Sequence, residues 1–334
     1  MGKGKKPRSG SMGVWPRKRA TSEIARIRVW AKNKEVKPLG FAGYKVGMTH
    51  AIVTDNRPNS ITKGEELFMP LTIIECPPIK VFGVNCYQQT PYGFTLSSTI
   101  LLPSTDKHLS KSISFSKKTT KTLESIKPET CSHFKLLVHT NPAKTGIGKK
   151  KPEIFELAIG GDTQAQYAYA KNILGKELHI KDIFTQGNHV DLLAITKGKG
   201  FQGPVRRFGI SLKQHKSEKG VREPGSLGGW RAQGHVMYRV AHAGQMGYHQ
   251  RTDFNKWIIH IGEKPENINI KGGYLHYGVV KNPYILIKGS VQGPAKRLIK
   301  MIQPRRPNKK IPNQAPVIEY LHLSTHQGKT REAA

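Results

Sequence analysis

Short apolar runs separated by turn residues dominate the chain and predict a mainly β protein. The first runs, joined by a tight connection at Met48 and Thr49, are FAGYKVGM and AIVTD. PLTIIEC, KVFGVNCY and FTLSSTILL follow up to residue 102, with Asn and Pro in the gaps. Strands at this interval are typical of a barrel or a sandwich.

The pattern becomes mixed after residue 102 and turns β again near residue 190. LLVHT indicates a strand, and residues 163–174 predict a helix capped by Asp162 or Thr163 and ended by Gly175. We interpret this region as an α+β insertion into a β unit. The later runs are VDLLAIT, KWIIHIG, GYLHYGVV and YILIKG, and VIEYLHL reads as a last strand or edge.

Two segments have no period that would build a core. Residues 1–38 hold twelve Lys or Arg and two Glu, which predicts an extended basic arm with a weak helix over 22–30. The alternative for this segment is a disordered basic tail or a localisation patch, and the run PRKR fits either. Residues 197–251 hold eleven Gly and eleven Lys or Arg against two acids, Glu218 and Glu223. So much Gly carries a large ordering entropy with little apolar surface to offset it, and we expect this loop to be ordered by a partner.

The charge indicates a polyanionic partner. Lys and Arg outnumber Asp and Glu by 55 to 22, for a formal charge of +33. Five aromatic residues and four His are spaced along 197–251, which favours nucleic acid over a solvated linker. The expected contacts in the loop are Lys197, Lys199, Arg206, Arg207, Lys213, His215, Lys216, Lys219, Arg222, Trp230, Arg231, His235, Arg239, His242, Gln245, His249 and Arg251. Those in the arm are Lys5, Lys6, Arg8, Trp15, Arg17, Lys18 and Arg19.

Several motifs suggest chemistry but lack its context. GKGFQG, over 198–203, matches GxGxxG, yet only a short turn from Pro204 to Arg207 follows before Gly209, and no acid ends a next strand. His235, His242 and His249 recur every seven residues without a nearby carboxylate, which argues against a metal or a His–Asp relay. Three distant cysteines frame neither disulfides nor a zinc site, and no secretory signal is apparent. We expect no enzyme activity.

The patterns divide the chain into seven parts. These are the arm (1–38), a first part of the β unit (39–102), the insertion (103–187), one strand (188–196), the central loop (197–251), the rest of the β unit (252–294) and a basic C-terminal tail (295–334).

Four stretches resemble the ribosomal protein L3 family of the large subunit. They are GYKVGMT, TKGKGFQGPVRRFG, GSLG with GHVMYRVAHAGQMGYHQRT, and YILIKGSVQGP. The N-terminal PRSGSMGVWPRKRA is similar to the arm of archaeal and eukaryotic members, and the chain length is typical of archaeal ones. The resemblance extends over most of the chain and is looser in the insertion.

The resemblance implies a fold and a role. The fold would be a closed six-stranded β-barrel like that of translation factors, with an α+β insertion, the arm and an RNA-threading loop. The role would be a cytoplasmic ribosomal protein that binds early near the 3′ end of 23S-type rRNA, nucleates subunit assembly and extends its loop toward the peptidyl transferase centre.

Further expectations follow from the same resemblance. Trp230 would lie at the aromatic tip of the loop, and the neighbours would be ribosomal proteins L14 and L24e. No cofactor is expected beyond Mg²⁺ or K⁺ held mainly by rRNA. The alternative function is a free-standing RNA chaperone or nucleic-acid-binding protein outside the ribosome.

Overall fold

The computed structural model describes residues 7–102, 107–115, 122–126, 128–230 and 234–324. The strands are β1 (Gly40–Thr54), β2 (Glu66–Glu75), β3 (Ile79–Thr90), β4 (Gly93–Leu101), β5 (His133–His139), β6 (Ile154–Ala158), β7 (Glu177–Leu178), β8 (His189–Ile195), β9 (Phe201–Gln202), β10 (Gly244–Gln245), β11 (Gln250–Gly262), β12 (Tyr284–Lys288), β13 (Leu298–Ile302) and β14 (Ile318–Leu321). The α-helices are α1 (Thr163–Ile173) and α2 (Pro204–Phe208). Single 3-10 turns cover Leu109–Lys111, Leu123–Ser125, Pro128–Thr130, Pro142–Lys144, Ile180–Asp182 and Pro265–Asn267.

Six strands close into a ring in the order β13, β8, β11, β12, β2 and β1, with β1 pairing back to β13. The closing ladder is antiparallel and sets Gly40 opposite Ile302 and Tyr44 opposite Leu298. β14 pairs with the far end of β1. The expected mainly β fold with a closed six-stranded barrel and an α+β insertion is confirmed.

β1 differs from its expectation because it is one strand rather than two. The predicted connection at Met48 and Thr49 lies inside the strand, where these residues pair with Thr72 and Leu71 of β2. A register shift between Lys45 and Gly47 marks a bulge just before them. Because the bulge interrupts the alternation of apolar positions, the sequence pattern here resembles that of a turn between two strands.

The insertion is larger than expected. β3 and β4 were assigned to the barrel part at 39–102, yet they form a second sheet in the order β4, β3, β5, β6, with β7 on β3. The boundary therefore falls near residue 79 rather than 103. α1 confirms the predicted helix, and Gln166 on it accepts a hydrogen bond from the Phe134 amide of β5 at 3.0 Å.

Residues 295–334 are not all tail. β13 lies within them and completes the ring, with all five of its residues buried between β1 and β8. Its sequence, LIKMI, is apolar except for Lys300. Because cationic residues flank it on both sides, the pattern did not predict a strand here.

Two other predicted elements are absent. Residues 273–280 form a tight turn with a Tyr274–Gly278 bridge and His276 at φ 62°, because three glycines nearby take positive φ. Residues 22–30 are irregular, with Ala25 buried and Trp30 packed on the core.

The chain divides into two compact units. The ring unit comprises residues 24–194 and 252–334, and the arm–loop unit comprises residues 1–23 and 195–251. Residues 24–38, expected as part of the arm, therefore belong to the ring unit. In its core Glu75 accepts hydrogen bonds from the Lys281 amide and from the amide and side chain of Asn282, at 2.7–2.9 Å.

Candidate nucleic-acid interface

The two ends of the central loop pair at its base. β9 and β10 are antiparallel, with Phe201 opposite Gln245. The Lys199 amide donates to the Met246 carbonyl, and the Met246 amide donates to the Gly200 carbonyl, both at 2.9 Å. The loop therefore leaves and returns through a closed, hydrogen-bonded base.

Gly247 allows the closest approach at this base. Its φ is +71°, and a Cβ there would lie 2.1 Å from the Lys197 carbonyl oxygen. Any other side chain would meet both a left-handed backbone and a backbone clash. This glycine thus has a packing role, in addition to the flexibility that the loop composition suggested.

The short helix α2 crosslinks the loop. It begins at Pro204 and ends at Phe208, and Gly209 follows with a left-handed φ of 69°. A short turn from Pro204 that Gly209 interrupts was predicted after GKGFQG. The Arg207 side chain reaches across to the returning segment and donates to the carbonyls of Gln245 at 3.0 Å and His242 at 2.9 Å. Arg207, which was predicted to contact RNA, therefore connects the two sides of the loop through hydrogen bonds.

The arm supplies apolar and cationic contacts that the loop lacks by itself. Arg17 donates to the Arg207 carbonyl at 2.5 Å, and its guanidinium lies 4.2 Å from the centre of the buried Phe208 ring. The Trp15 ring lies 6.3 Å from Phe208 and 5.8 Å from Tyr238. Arm and loop, expected as separate elements, thus pack as one unit around these aromatic rings.

His249 ties the base of the loop to the arm through both ring nitrogens. Nδ1 lies 2.8 Å from the Lys18 carbonyl, and Nε2 accepts a hydrogen bond from the Gly247 amide at 3.1 Å. These partners require a neutral ring with its proton on Nδ1. Burial lowers the pKa of His249, the bond to Lys18 opposes this, and the charges of Arg251, Arg207 and Arg17 lower it further.

A cationic cavity of about 340 Å³ opens between arm and loop. Five Lys or Arg and no carboxylate line it. The full lining is Val14, Arg17, Thr196, Lys197, Lys199, Arg207, Met246, Gly247, His249 and Arg251. Burial lowers the pKa of Arg17, as do the charges of Arg207, Arg251 and Arg8. So many cations without an acid make the cavity suited to an anion such as phosphate.

The expected contact residues fall into three groups. Six hold the unit together through hydrogen bonds to backbone groups: Arg8, Arg17, Arg207, Gln245, His249 and Arg251. The others with exposed side chains are Lys18, Arg19, Lys197, Lys199, Arg206, His215, Lys216, Lys219, Arg222, Trp230, His235, Arg239 and His242, and Trp15 and Lys213 are half-buried. Lys5, Lys6 and Arg231 lie outside the described residues.

Trp230 presents an open aromatic face. Its side chain is 43 % exposed, and its ring centre lies 6.0 Å from that of His235, with which it forms an isolated β-bridge. A ring held this way is available for stacking.

The sequence missed several lining residues of the cavity. Val14 and Met246 are apolar and carry no charge signal, and Thr196 was predicted as the last residue of a strand and the first of the stretch TKGKGFQGPVRRFG, with no binding role. The Thr196 hydroxyl accepts a hydrogen bond from the His249 amide at 3.1 Å. Their roles come from packing between segments far apart in sequence, which no local pattern encodes.

The other candidate chemistries find no support in the described ranges. There, no group of three or more His, Cys, Asp or Glu could hold a metal ion. His249 is buried while His235 and His242 are exposed, because the segment carrying them is not helical. All three cysteines are buried and free, and burial raises the pKa of Cys76. Among the helices described, none has the length and apolarity to cross a membrane.

Comparison with known proteins gives concordant matches. The family model described as ribosomal protein L3 matches residues 1–328. The large ribosomal subunit protein uL3 of Methanobrevibacter smithii is 45 % identical over 332 residues, covering 96 % of this chain and 98 % of that protein. The uL3 proteins of Methanocaldococcus jannaschii and Archaeoglobus fulgidus are 44 % and 42 % identical, and each alignment covers 97 % of this chain and at least 98 % of the relative.

Proposed function

Because this chain belongs to the ribosomal protein L3 family, we propose that its arm–loop unit is the element that embeds in large-subunit rRNA. Family membership makes the chain a structural constituent of the large ribosomal subunit. The unit is the part whose composition demands an anionic partner, with eleven Lys or Arg against two acids over 197–251.

One observation carries the proposal: the cations divide between internal supports and outward contacts. Arg17, Arg207 and Arg251 use their guanidinium groups on backbone carbonyls. The exposed Lys and Arg surround them without a comparable number of acids, and Lys213 with Glu223, at 3.7 Å, is an ion pair within the loop. This arrangement presents a preformed cationic surface, which lowers the ordering cost of binding.

The finer role follows the family resemblance. We infer that the chain is a primary binder near the 3′ end of 23S-type rRNA in cytoplasmic ribosomes, where it nucleates subunit assembly. Its loop would extend Trp230 toward the peptidyl transferase centre, and its neighbours would include ribosomal proteins L14 and L24e. The exposed face of Trp230 and the closed base of the loop support this direction.

The test measures how rRNA affinity depends on salt. Lys216, Lys219 and Arg222 are exposed and lie in the loop. The triple substitution to Gln is expected to lower the log–log salt slope by roughly 2.1–2.7, which is 0.7–0.9 for each of three phosphate contacts. A control triple to Gln at the exposed ring-unit residues Lys63, Lys264 and Lys271 should leave the slope close to wild type. Equal slopes for loop triple and wild type would refute the proposal.

The alternative, a free-standing chaperone, predicts a different distribution in cells. Sedimentation of an extract at low salt separates the two, since a ribosomal constituent should appear almost entirely in the large-subunit peak. A dominant slow-sedimenting pool would favour the chaperone.

A further inference from the structure

An exposed aromatic ring with flanking cations lies on the ring unit, among residues to which no role has been assigned above. Phe254 in β11 is 45 % exposed, and the guanidinium groups of Arg305 and Arg306 lie 6.0 Å and 5.6 Å from its ring centre. Lys309 and Lys310 are exposed on the same segment. We call these five residues the barrel patch.

A buried carboxylate fixes the two halves of the barrel patch to each other. Asp191 in β8 is fully buried, and its Oδ1 accepts the Asn255 amide at 2.8 Å while Oδ2 accepts the Arg305 amide at 3.1 Å. Asn255 has φ 52°, so the chain departs from extended geometry beside Phe254. One side chain thereby sets the position of the aromatic residue and of the arginine segment.

The segment carrying the cations contains no acid. Residues 303–318 include Arg305, Arg306, Lys309 and Lys310 and neither Asp nor Glu. Asp253 precedes Phe254 in β11, but its carboxylate lies 4.0 Å from the Lys256 ammonium and is half-buried. The exposed charge of the barrel patch is therefore positive.

The combination has a chemical meaning beyond charge. A flat aromatic face stacks on any nucleobase, and guanidinium groups bind phosphates and also stack on bases. An acidic peptide would use the four cations but would gain little from the exposed ring. The pairing of ring and guanidinium groups thus favours RNA over an acidic protein segment.

We propose that the barrel patch is a second RNA-binding site, in which a nucleotide of unpaired or irregular RNA stacks on Phe254 while its phosphates contact Arg305 and Arg306. Asp191 is a positioning residue for this site. The inference rests on the proposed function only in that the ligand is RNA, since the arm–loop unit contributes none of its residues.

The experiment uses the intact chain and protein-free large-subunit rRNA, with binding measured over a series of KCl concentrations. The Arg305→Gln, Arg306→Gln double variant removes the phosphate contacts. Phe254→Leu keeps an apolar residue but removes the stacking face. Lys264→Gln with Lys271→Gln removes the same charge from exposed positions elsewhere on the ring unit. Thermal unfolding followed by circular dichroism verifies that each variant is folded.

The expected results separate stacking from charge. The arginine variant should lower the salt slope by about 1.4–1.8, for two phosphate contacts. Phe254→Leu should weaken binding by roughly 5- to 150-fold with the slope unchanged, the range for loss of one stacked base. The control pair should leave the slope within error of wild type.

Several outcomes would overturn the inference. One is rRNA binding by both patch variants within twofold of wild type, while the loop triple described above still loses its slope; in that case the proposed function stands and this site falls. Another is unchanged rRNA binding by the arginine variant together with lost binding to a polyglutamate peptide, which would assign the patch to an acidic protein. Failure of the wild type to bind rRNA would remove both proposals.

Discussion

Replacing Lys300 by methionine is expected to stabilise the ring unit at neutral pH. Lys300 lies in β13 opposite Ala42 of β1 and Leu193 of β8, and it is only 4 % exposed. Its ammonium group lies 4.3 Å from the centre of the Phe155 ring. Burial lowers the pKa of Lys300 to about 7, although the charge of Glu156 acts in the opposite direction.

The magnitude follows from this shift. A fall in pKa from 10.5 to about 7 corresponds to a cost on the order of 5 kcal/mol when the charged form must be buried. Methionine removes that cost and loses a cation–π contact of about 2 kcal/mol. The expected gain at pH 7 is therefore about 3 kcal/mol, within the usual range for replacing buried charge by apolar side chains.

The pKa shift also fixes how the stability difference between Lys300→Met and the wild type changes with pH. Between pH 7 and 10.5 the unfolded lysine keeps a proton that the folded one has released, so the free energy of unfolding of the wild type rises with pH. The advantage of Lys300→Met should be largest at pH 7 and below and should disappear toward pH 10.5.

Urea unfolding at several pH values measures this difference, with exposed Lys271→Met as the matched control. A variant less stable than wild type at pH 7, or a difference that does not change with pH, would refute the reasoning.

Three further predictions concern the arm–loop unit and the ring core. Because the pKa of His249 is lowered, hydrogen-exchange protection of residues 7–23 should fall as the pH drops below 6.5, and His249→Ala should abolish that dependence. Gly247→Ala should reduce protection at the loop base more than Gly200→Ala, since both have positive φ but only the first would meet a backbone oxygen; equal effects would contradict this. Glu75→Leu leaves three N–H donors without their acceptor and should cost about 3 kcal/mol or more in urea unfolding, whereas a loss under 1 kcal/mol would argue against that role.

Much of the fold could be predicted from local pattern. α1 and the strands β2, β8 and β12 coincide with apolar runs bounded by turn residues. The pattern could not assign β3 and β4 to a sheet, because a strand has the same alternation whichever neighbour it pairs with. β13 was missed because Lys300 interrupts its four apolar residues and many cations flank it, which leaves a weak period.

The sequence predicted which residue types make up the site, but not which of its cations bind within the protein and which remain exposed. Gly, Lys, Arg and aromatic residues marked the loop, and the arm was recognised by the same charge. Nothing local indicated that Arg207 would bind carbonyls of the returning segment, or that Arg17 would lie on Phe208. The barrel patch was hidden for the same reason, because Phe254 and Arg305 are far apart in sequence and are brought together by the Asp191 carboxylate, which accepts hydrogen bonds from the Asn255 and Arg305 amides.

Closure of the ring by β13 has a consequence for biosynthesis. β13 is translated after every other strand of the ring, and it fills the gap between β1 and β8. Until it emerges, the edge of β1 that later pairs with β13 has no ring partner, and the nascent barrel remains an open, incomplete sheet. Throughout synthesis of the loop, this unpaired edge of β1 is therefore exposed to binding by ribosome-associated chaperones or by RNA.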